Sequence, residues 1–134
     1  MIRGSCLCKG VQFEIHGTFG RSSHCHCSMC RKAHGAAFGS YALVNSETFK
    51  VTAGAELIAR YRSSPDVVRT FCARCGSTLQ FLRQSTPEIQ FVALGVLDDD
   101  PEMRPARHIF VGSKAPWFEI TDGLPQHAER APPG

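Results

Sequence analysis

The residues best able to do chemistry in this chain are its cysteines, which fall into three short clusters. The clusters are Cys6 and Cys8, then Cys25, Cys27 and Cys30, and finally Cys72 and Cys75. Thiolates spaced in this way can converge on one metal ion, and Zn²⁺ takes four such ligands in a tetrahedron. Seven sulfurs divide naturally as four plus three. A four-thiolate site is structural, whereas a three-thiolate site keeps one position for water or a substrate, as catalytic zinc sites do.

A disulfide framework and a redox-active CxxC motif are the two competing interpretations. The number of cysteines is odd, and a bond between Cys6 and Cys8 would close a small, strained ring. The chain starts with MIRGS and shows no apolar leader, which predicts a reducing, cytoplasmic location. Thioredoxin-type CxxC motifs stand alone rather than beside other clusters. The spacing therefore favours zinc, with two Zn²⁺ per chain.

Length and charge narrow the function classes. A chain of 134 residues predicts one domain, 1–134, that buries about two thirds of its unfolded surface. The net charge is +3, but the basic residues are dispersed, and Arg31 and Lys32 form the only adjacent basic pair. This pattern argues against a nucleic-acid partner. No apolar stretch approaches the ~20 residues that span a bilayer, so we expect no membrane partner. The segment 126–134, which ends in APPG, is predicted to be a loose tail.

Short alternating segments predict an all-β fold of mainly antiparallel small sheets, stabilised by zinc. Alternation marks 11–15 and 48–52, and the segments 57–61, 67–71 and 78–82 are similarly short and bounded by turn residues. The continuous apolar run Ile89–Leu97 predicts a central strand buried on both faces, and a second buried strand is expected over Arg107–Val111. The only predicted helix is one short element, Ser28–His34, capped by Ser28 and ended by Gly35.

The strands give the cysteine clusters different expected roles. Cys72 and Cys75 follow a strand, and Gly76 comes directly after them, where a metal-binding turn needs a residue free to turn sharply. This pair therefore looks structural, and Cys6 with Cys8 would complete its site. The middle cluster then remains as a three-thiolate site. Spacing alone leaves another partition open, in which the Cys27 and Cys30 pair joins the late CxxC.

The chain resembles the glutathione-dependent formaldehyde-activating enzymes, a family that includes the domain of centromere protein V. The resemblance is carried by GSCLCKGVQFEI, HCHCSMCRKAHGAAF, FCARCGSTL and HIFVGSKAPWFEI, in the family's order and spacing. It covers nearly the whole chain. It implies a structural zinc on Cys6, Cys8, Cys72 and Cys75, and a catalytic zinc on Cys25, Cys27 and Cys30. It also implies several antiparallel sheets without a large helix.

The family's reaction is that of a carbon-sulfur lyase, which joins glutathione to formaldehyde to give S-hydroxymethylglutathione. The resemblance implies small thiol and aldehyde substrates here. Three thiolates leave a Zn²⁺ site with a net charge of about −1, so bound water is acidified less strongly than by a three-histidine site. Such a metal stays thiophilic enough to hold a substrate sulfur, whose thiolate could add to a carbonyl carbon.

Several other side chains are candidates for the substrate pocket, each with a plainer alternative. His24 and His26 could supply a fourth ligand or a proton, or simply neighbour the cysteines. The remaining candidates are Arg31, His34, Phe38, Lys114 and Trp117. The alternative for Arg31 and Lys114 is a solvated surface charge, and the alternative for Trp117 is an ordinary core position. The run Asp98 to Asp100 lacks the glycine and glutamate of a calcium loop and is expected to be a solvated strand end.

Two function classes follow from the sequence. The first is an enzyme of the carbon-sulfur lyase type that adds a zinc-held thiol to a small aldehyde. The second is a non-catalytic zinc module that binds a protein or other partner. The fourth ligand of the middle site distinguishes them, because a protein group such as His26 would favour the module and an exchangeable group would favour the enzyme.

Overall fold

A computed structural model describes residues 1–132 of the chain. The strands and the helix, in chain order, are β1 Ile2–Ser5, β2 Gln12–Ile15, β3 Ser22–Cys25, α1 Ser28–His34, β4 Gly39–Asn45, β5 Phe49–Ala53, β6 Ile58–Arg62, β7 Val67–Cys72, β8 Thr78–Arg83, β9 Ile89–Ala93 and β10 His108–Ile109. Four single turns of 3₁₀-helix lie at Ser46–Thr48, Ala55–Leu57, Leu94–Val96 and Val111–Ser113. The predicted all-β class with one short helix is confirmed, and α1 has the predicted bounds.

The strands form two sheets. A three-stranded sheet has the order β1-β2-β5, and a seven-stranded sheet has the order β10-β3-β4-β9-β8-β7-β6. Every pairing between these strands is antiparallel except the short parallel contact of β10 with β3. No helix within residues 1–132 is long and apolar enough to cross a membrane.

The two faces of the larger sheet pack into separate apolar clusters. Val44, Leu79 and Val92 join the cluster that also holds Phe13 and Ile15 of the smaller sheet. The side chains next to them in these strands point to the opposite face, where a second cluster forms. Its buried members are Cys25, Cys30, Tyr41, Phe91 and Ala93. Since successive side chains of a strand alternate between faces, each cluster is one face of the same sheet.

Two predicted strands are shorter than expected. The prediction of one strand over Ile89–Leu97 was wrong beyond Ala93, because the chain enters a 3₁₀ turn at Leu94–Val96. That turn redirects the backbone to the smaller sheet, where Leu97 forms a bridge with Gly4. The strand expected over Arg107–Val111 comprises only His108–Ile109, at the sheet edge, and Phe110 ends it with a left-handed φ of 56°.

The chain after β10 returns to the edge of the larger sheet. His127 N donates to His108 O at 3.0 Å, and Phe110 N donates to Glu129 O at 2.9 Å. The first part of the segment predicted as a loose tail, 126–134, therefore makes backbone hydrogen bonds with the β10 region. Residues 133–134 of that predicted tail lie outside the described residues.

Candidate metal centres

The first candidate centre brings together four cysteines from two segments that are far apart in the sequence. The Sγ atoms of Cys6, Cys8, Cys72 and Cys75 all lie within 4.8 Å of one another. Cys8 Sγ is 3.5 Å from Cys6 Sγ and 3.8 Å from Cys72 Sγ. A tetrahedron with Zn–S bonds of about 2.3 Å has S–S edges of about 3.8 Å, whereas a disulfide needs about 2.05 Å. The donor set therefore fits one tetrahedral, thiophilic cation.

Turns at two strand ends position these thiols. Cys6 follows β1, and its Sγ accepts a hydrogen bond from Val11 N at 3.2 Å. Cys72 ends β7, and Gly76 closes the turn after it with a φ of 82° and a bond from its N–H to Cys72 O. The Ser77 hydroxyl and backbone lower the pKa of Cys75 to about 5. Donors aimed at sulfur favour the thiolate, which is the form that binds metal.

The second candidate centre is built within one strand-to-helix turn. The Sγ atoms of Cys25, Cys27 and Cys30 lie within 4.8 Å of one another. Cys25 ends β3 and Cys30 lies in the first turn of α1. The prediction that Ser28 caps this helix was wrong, because Cys27 is the N-cap residue and its Sγ accepts from Cys30 N at 3.3 Å. The cap places two of the three thiols on the same side of one turn.

The three thiols of this middle cluster cannot all lose their protons easily without a cation. Hydrogen bonding from Cys25 and Cys30 lowers the pKa of Cys27 to about 2. Hydrogen bonding with the same neighbours, together with burial, raises the pKa of Cys25. The cluster thus stabilises the thiolate of Cys27 and disfavours loss of the proton from Cys25. A soft divalent cation would compensate three thiolates at once, so the donor chemistry fits a zinc ion.

An arginine and a tyrosine that the sequence analysis did not single out lie beside the middle cluster. Arg69 Nη2 donates to Cys30 Sγ at 3.7 Å and Arg69 Nη1 donates to Tyr41 Oη at 3.3 Å. The Tyr41 hydroxyl lies 2.6 Å from His34 Nε2. Burial raises the pKa of Tyr41 well above its ordinary value, so its hydroxyl stays protonated. The predicted pocket residue His34 is thus connected to the cluster through Tyr41 and Arg69.

The histidines that alternate with the cysteines occupy the other side of β3. His26 has no exposed surface, and its Nε2 lies 2.8 Å from Nδ1 of the buried His108. His108 Nε2 in turn lies 3.0 Å from Asp122. Burial, followed by the neighbouring His108 and His24, lowers the pKa of His26 to about 4. Among residues 1–132, neither His24 nor His26 belongs to a group whose donor atoms converge as a metal site.

The other predicted pocket residues lie in different surroundings. Phe38 packs against His24 and His26, with ring centroids 4.6 Å and 5.0 Å apart. Arg31 has a buried Nε without a hydrogen-bond partner. Lys114 donates to the backbone oxygens of Ala115 and Phe118. Trp117 is 71% exposed and lines a cavity of about 570 Å³ together with Lys114. Their part in a substrate pocket stays a prediction.

The aspartate run behaves as a strand end rather than a metal loop. Asp98 accepts from Ser5 Oγ at 2.8 Å, Asp99 pairs with Arg3, and Asp100 pairs with Arg104. These three carboxylates therefore each have their own partner. Asp98 and Asp99 join this segment to β1, whereas Asp100 makes a local pair with Arg104.

This chain is similar to a described protein family and to known proteins. A model of the family "Glutathione-dependent formaldehyde-activating enzyme" matches residues 1–113. A Halomonas elongata protein described as a "Putative glutathione-dependent formaldehyde-activating enzyme" is 32% identical over 129 residues, covering 90% of this chain and 81% of that protein. An uncharacterized lyase of Schizosaccharomyces pombe is 27% identical over 113 residues, covering 74% of this chain and 80% of the relative.

A solved structure shares the fold as well. The crystal structure of a Rhodobacter sphaeroides protein aligns with a TM-score of 0.61 at 27% identity, covering 77% of this chain and 91% of that one. The family match extends from the first residue to the end of the 3₁₀ turn after β10 and so includes both cysteine centres. The chain therefore belongs to the family of glutathione-dependent formaldehyde-activating enzymes.

Proposed function

We propose that this chain is a zinc-dependent carbon-sulfur lyase that adds a glutathione-like thiol to a small aldehyde such as formaldehyde. One observation carries the proposal: among residues 1–132, the middle group of converging metal donors contains three thiols and no fourth side chain. Three protein ligands leave room for a substrate sulfur, whereas the four-cysteine group is complete in itself. We further propose one zinc domain, and a cytoplasmic location because all seven cysteines are free thiols.

The two groups would hold their metals for different purposes. Cys6, Cys8, Cys72 and Cys75 would hold a structural zinc, and Cys25, Cys27 and Cys30 would hold the catalytic one. A bound Zn²⁺ at the middle group would supply the positive charge that keeps a substrate thiol deprotonated at neutral pH.

The chemistry itself is an addition with a balanced proton count. The substrate thiol loses its proton, the thiolate sulfur forms a bond to the carbonyl carbon, and the carbonyl π electrons move to oxygen. The oxygen then takes a proton, so thiol plus aldehyde gives a hemithioacetal with no oxidant or reductant. The reverse reaction breaks the same carbon–sulfur bond.

Arg69 and Tyr41 are the side chains best placed to act on the developing oxygen charge. Arg69 is half-buried beside Cys30, and its guanidinium group keeps a fixed positive charge there. The Tyr41 hydroxyl remains protonated, and it can donate to His34 Nε2 or, after a small rotation, to a substrate oxygen. Preorganised donors in a partly buried site stabilise an alkoxide more strongly than water does.

Exchange kinetics provide the decisive experiment, because formaldehyde and thiols also combine spontaneously. Magnetisation-transfer NMR would measure the exchange between glutathione and S-hydroxymethylglutathione at equilibrium. We expect acceleration by the zinc-loaded protein, loss of it in Cys27→Ser and Cys30→Ser, and no acceleration by zinc-free protein. An exchange rate equal to that of the zinc-free control would reject the enzyme.

The alternative is a non-catalytic zinc module that binds a partner. One observation supports this second function. Trp117 is 71% exposed and lines a cavity whose lining includes none of the three thiols. An exposed tryptophan is a frequent anchor of protein interfaces. A zinc-loaded protein that accelerates no exchange and whose metal spectrum ignores every thiol would favour the module.

A further inference from the structure

The end of helix α1 brings a histidine into contact with strand β4. His34 is the last residue of α1, and Gly35 follows it with a left-handed φ of 59° that turns the chain towards β4. His34 Nε2 lies 2.6 Å from Tyr41 Oη, and the two rings are nearly perpendicular, at 83°. The helix end and the strand beside β3 are therefore joined by one short hydrogen bond between titratable groups.

A glycine makes this contact possible. Gly39 begins β4 and is opposite Cys25 of β3. A Cβ atom at position 39 would lie 2.7 Å from His34 Nε2 and 2.9 Å from a ring carbon of Tyr41. Both distances are shorter than van der Waals contact, so any side chain there would displace His34 from Tyr41. Gly39 and Tyr41 are two residues apart in one strand, so both lie on the face that carries Cys25.

An arginine fixes the direction of the hydrogen bonds. A guanidinium group can only donate, so Tyr41 Oη accepts from Arg69 Nη1 at 3.3 Å, and the hydroxyl proton is left for His34 Nε2. His34 Nε2 is therefore the acceptor, and the neutral ring carries its own proton on Nδ1. Burial, and then the charge of Arg69, lower the pKa of His34, which keeps this ring neutral at neutral pH.

The chain of hydrogen bonds begins at the middle cysteines. Arg69 Nη2 donates to Cys30 Sγ at 3.7 Å, and the Phe81 ring holds both of the other partners. The Tyr41 ring meets Phe81 edge-on, with centroids 4.7 Å apart, and the Arg69 guanidinium carbon lies 5.6 Å from the Phe81 centroid. A hydroxyl oxygen has two acceptor positions, so Tyr41 Oη keeps one for a substrate hydroxyl while it accepts from Arg69.

The other end of the chain of hydrogen bonds reaches solvent. His34 is partly exposed. Among residues 1–132, the buried side-chain nitrogens that lack a hydrogen-bond partner are His26 Nδ1 and Arg31 Nε. His34 Nδ1 is not one of them and has no protein partner in this part of the chain, so it is open to water. A proton that reaches His34 Nε2 can therefore be balanced by release of the proton on Nδ1.

We infer that His34 exchanges the reaction's proton with solvent through Tyr41, and that Gly39 is the positioning residue that allows the two rings to meet. This inference rests on the proposed function for the substrate. When the carbon–sulfur bond breaks, the hydroxyl proton of the hemithioacetal moves to Tyr41 Oη as the Tyr41 proton moves to His34 Nε2. The O–H electron pair forms the carbonyl, and the carbon–sulfur pair leaves with sulfur as a thiolate. Tyr41 keeps its proton count, His34 passes one proton to water, and addition runs the same steps in reverse.

The first test needs no activity. Nitrogen-15 NMR of the histidine rings in zinc-loaded protein, with the His34 signals assigned by their loss in His34→Gln, reports which ring nitrogen carries the proton. We expect a proton on Nδ1 and none on Nε2, and a mixture of the two tautomers in Tyr41→Phe. A proton on His34 Nε2 in the unaltered protein would overturn the inferred direction of the chain of hydrogen bonds.

The second test measures the exchange between glutathione and S-hydroxymethylglutathione. His34→Gln keeps an acceptor for the Tyr41 hydroxyl but cannot take a proton, so we expect zinc-dependent exchange to slow about hundredfold. Deuterated water should slow the unaltered protein more than this variant, which a purely structural role of His34 would not produce. His16→Gln is the control and should match the unaltered protein, because His16 is exposed and pairs with Glu14.

A glycine pair tests the positioning role. Gly39→Ala should also slow exchange about hundredfold, because its Cβ moves His34 away from Tyr41. Gly95→Ala is the matched control and should keep the full rate, since a Cβ at position 95 meets no atom within 4 Å. Elemental analysis should find equal zinc in all these proteins. If Gly39→Ala does not fold, His34→Gln decides the inference alone.

The outcomes separate this inference from the proposed function. If the unaltered protein accelerates exchange and His34→Gln keeps the full rate, the proton path through His34 is overturned and the proposed function stands. If the zinc-loaded unaltered protein accelerates no exchange, the proposed function fails, and the proton path fails with it even where NMR finds the expected tautomer.

Discussion

The two cysteine centres use the same ligand chemistry but are assembled in opposite ways. One joins segments whose cysteines are 64 residues apart, and its sulfurs adjoin the cluster between the two sheets. The other lies within a single strand-to-helix turn at the far face of the larger sheet. Cross-linking distant segments restricts the unfolded chain, whereas a local centre restricts it little. The long-range centre should therefore contribute more to the free energy of unfolding. The small contribution expected of the local centre is compatible with its proposed catalytic role.

Cysteine substitution should separate the two centres most strongly. We expect Cys72→Ser to lower the free energy of unfolding by about 4 kcal/mol, because it releases a closed loop of more than sixty residues. Cys27→Ser should cost about 2 kcal/mol, since its centre closes only a loop of a few residues. Urea unfolding of zinc-loaded protein, with zinc content determined by elemental analysis, measures both.

The unaltered protein, with an expected content of two zinc ions, is the reference for this comparison. Each variant should retain close to one ion if it still folds. An equal loss of stability in the two variants, or a larger loss in Cys27→Ser, would contradict the division into structural and catalytic centres.

The arginine beside each centre offers a finer comparison. Arg69 is half-buried and contacts Cys30, whereas the exposed Arg74 donates from Nε to Cys8 Sγ at 3.2 Å. Removing a donor makes a thiolate more basic, and partners of metal ligands typically change metal affinity 10- to 100-fold. We expect Arg69→Gln to speed zinc loss from the middle centre about tenfold and Arg74→Gln to change the other centre about twofold, because solvent replaces Arg74.

Transfer of zinc to a chromophoric chelator would resolve the two centres as a fast and a slow phase. The Arg69 variant should change only the fast phase. Arg60→Gln is the control and should change neither phase, because Arg60 pairs with Thr70 and so lies on the opposite face of the sheet from Arg69. If Arg74→Gln accelerated its phase more than Arg69→Gln did, burial would not be what distinguishes the two arginines.

The smallest expected effect is the contribution of His26 to the pH dependence of stability. The pKa of His26 is about 4 in the folded protein and about 6.5 in the unfolded chain. The folded state therefore favours the neutral ring, so stability is full above pH 6.5 and falls as pH drops towards 4. Between pH 7.5 and 5.5 this group should account for about 1 kcal/mol.

Urea unfolding at these two pH values, with zinc retention checked at each, tests the effect of His26. The His26→Gln variant should lose less stability on acidification than the unaltered protein, and His16→Gln, at an exposed position, should match the unaltered protein. The same pH slope in all three proteins would mean that His26 does not titrate as proposed.

Features encoded by neighbouring residues were predictable from the sequence. Helix α1 begins and ends as expected, because Cys27 and Gly35 flank it locally. The grouping of the cysteines into four and three followed from the family resemblance, because spacing alone left another partition open. Arg69 gave no signal, since its contact with Cys30 depends on how the five strands from β3 to β7 pair in the larger sheet. The sequence also could not predict that β9 ends at Ala93, because this end depends on the position of the smaller sheet.

The parallel pairing of β10 with β3 also sets an order of events during synthesis. His108, which packs behind His26, is made 82 residues later. At 5–20 residues per second the ribosome needs about 4–16 seconds for that interval. Cys25, Cys27 and Cys30 can thus meet cellular metal on the growing chain before His108 and Asp122 exist. If the middle centre holds zinc as proposed, the metal can bind before the buried histidines behind β3 are complete, and zinc supply to nascent chains would then affect how the protein matures.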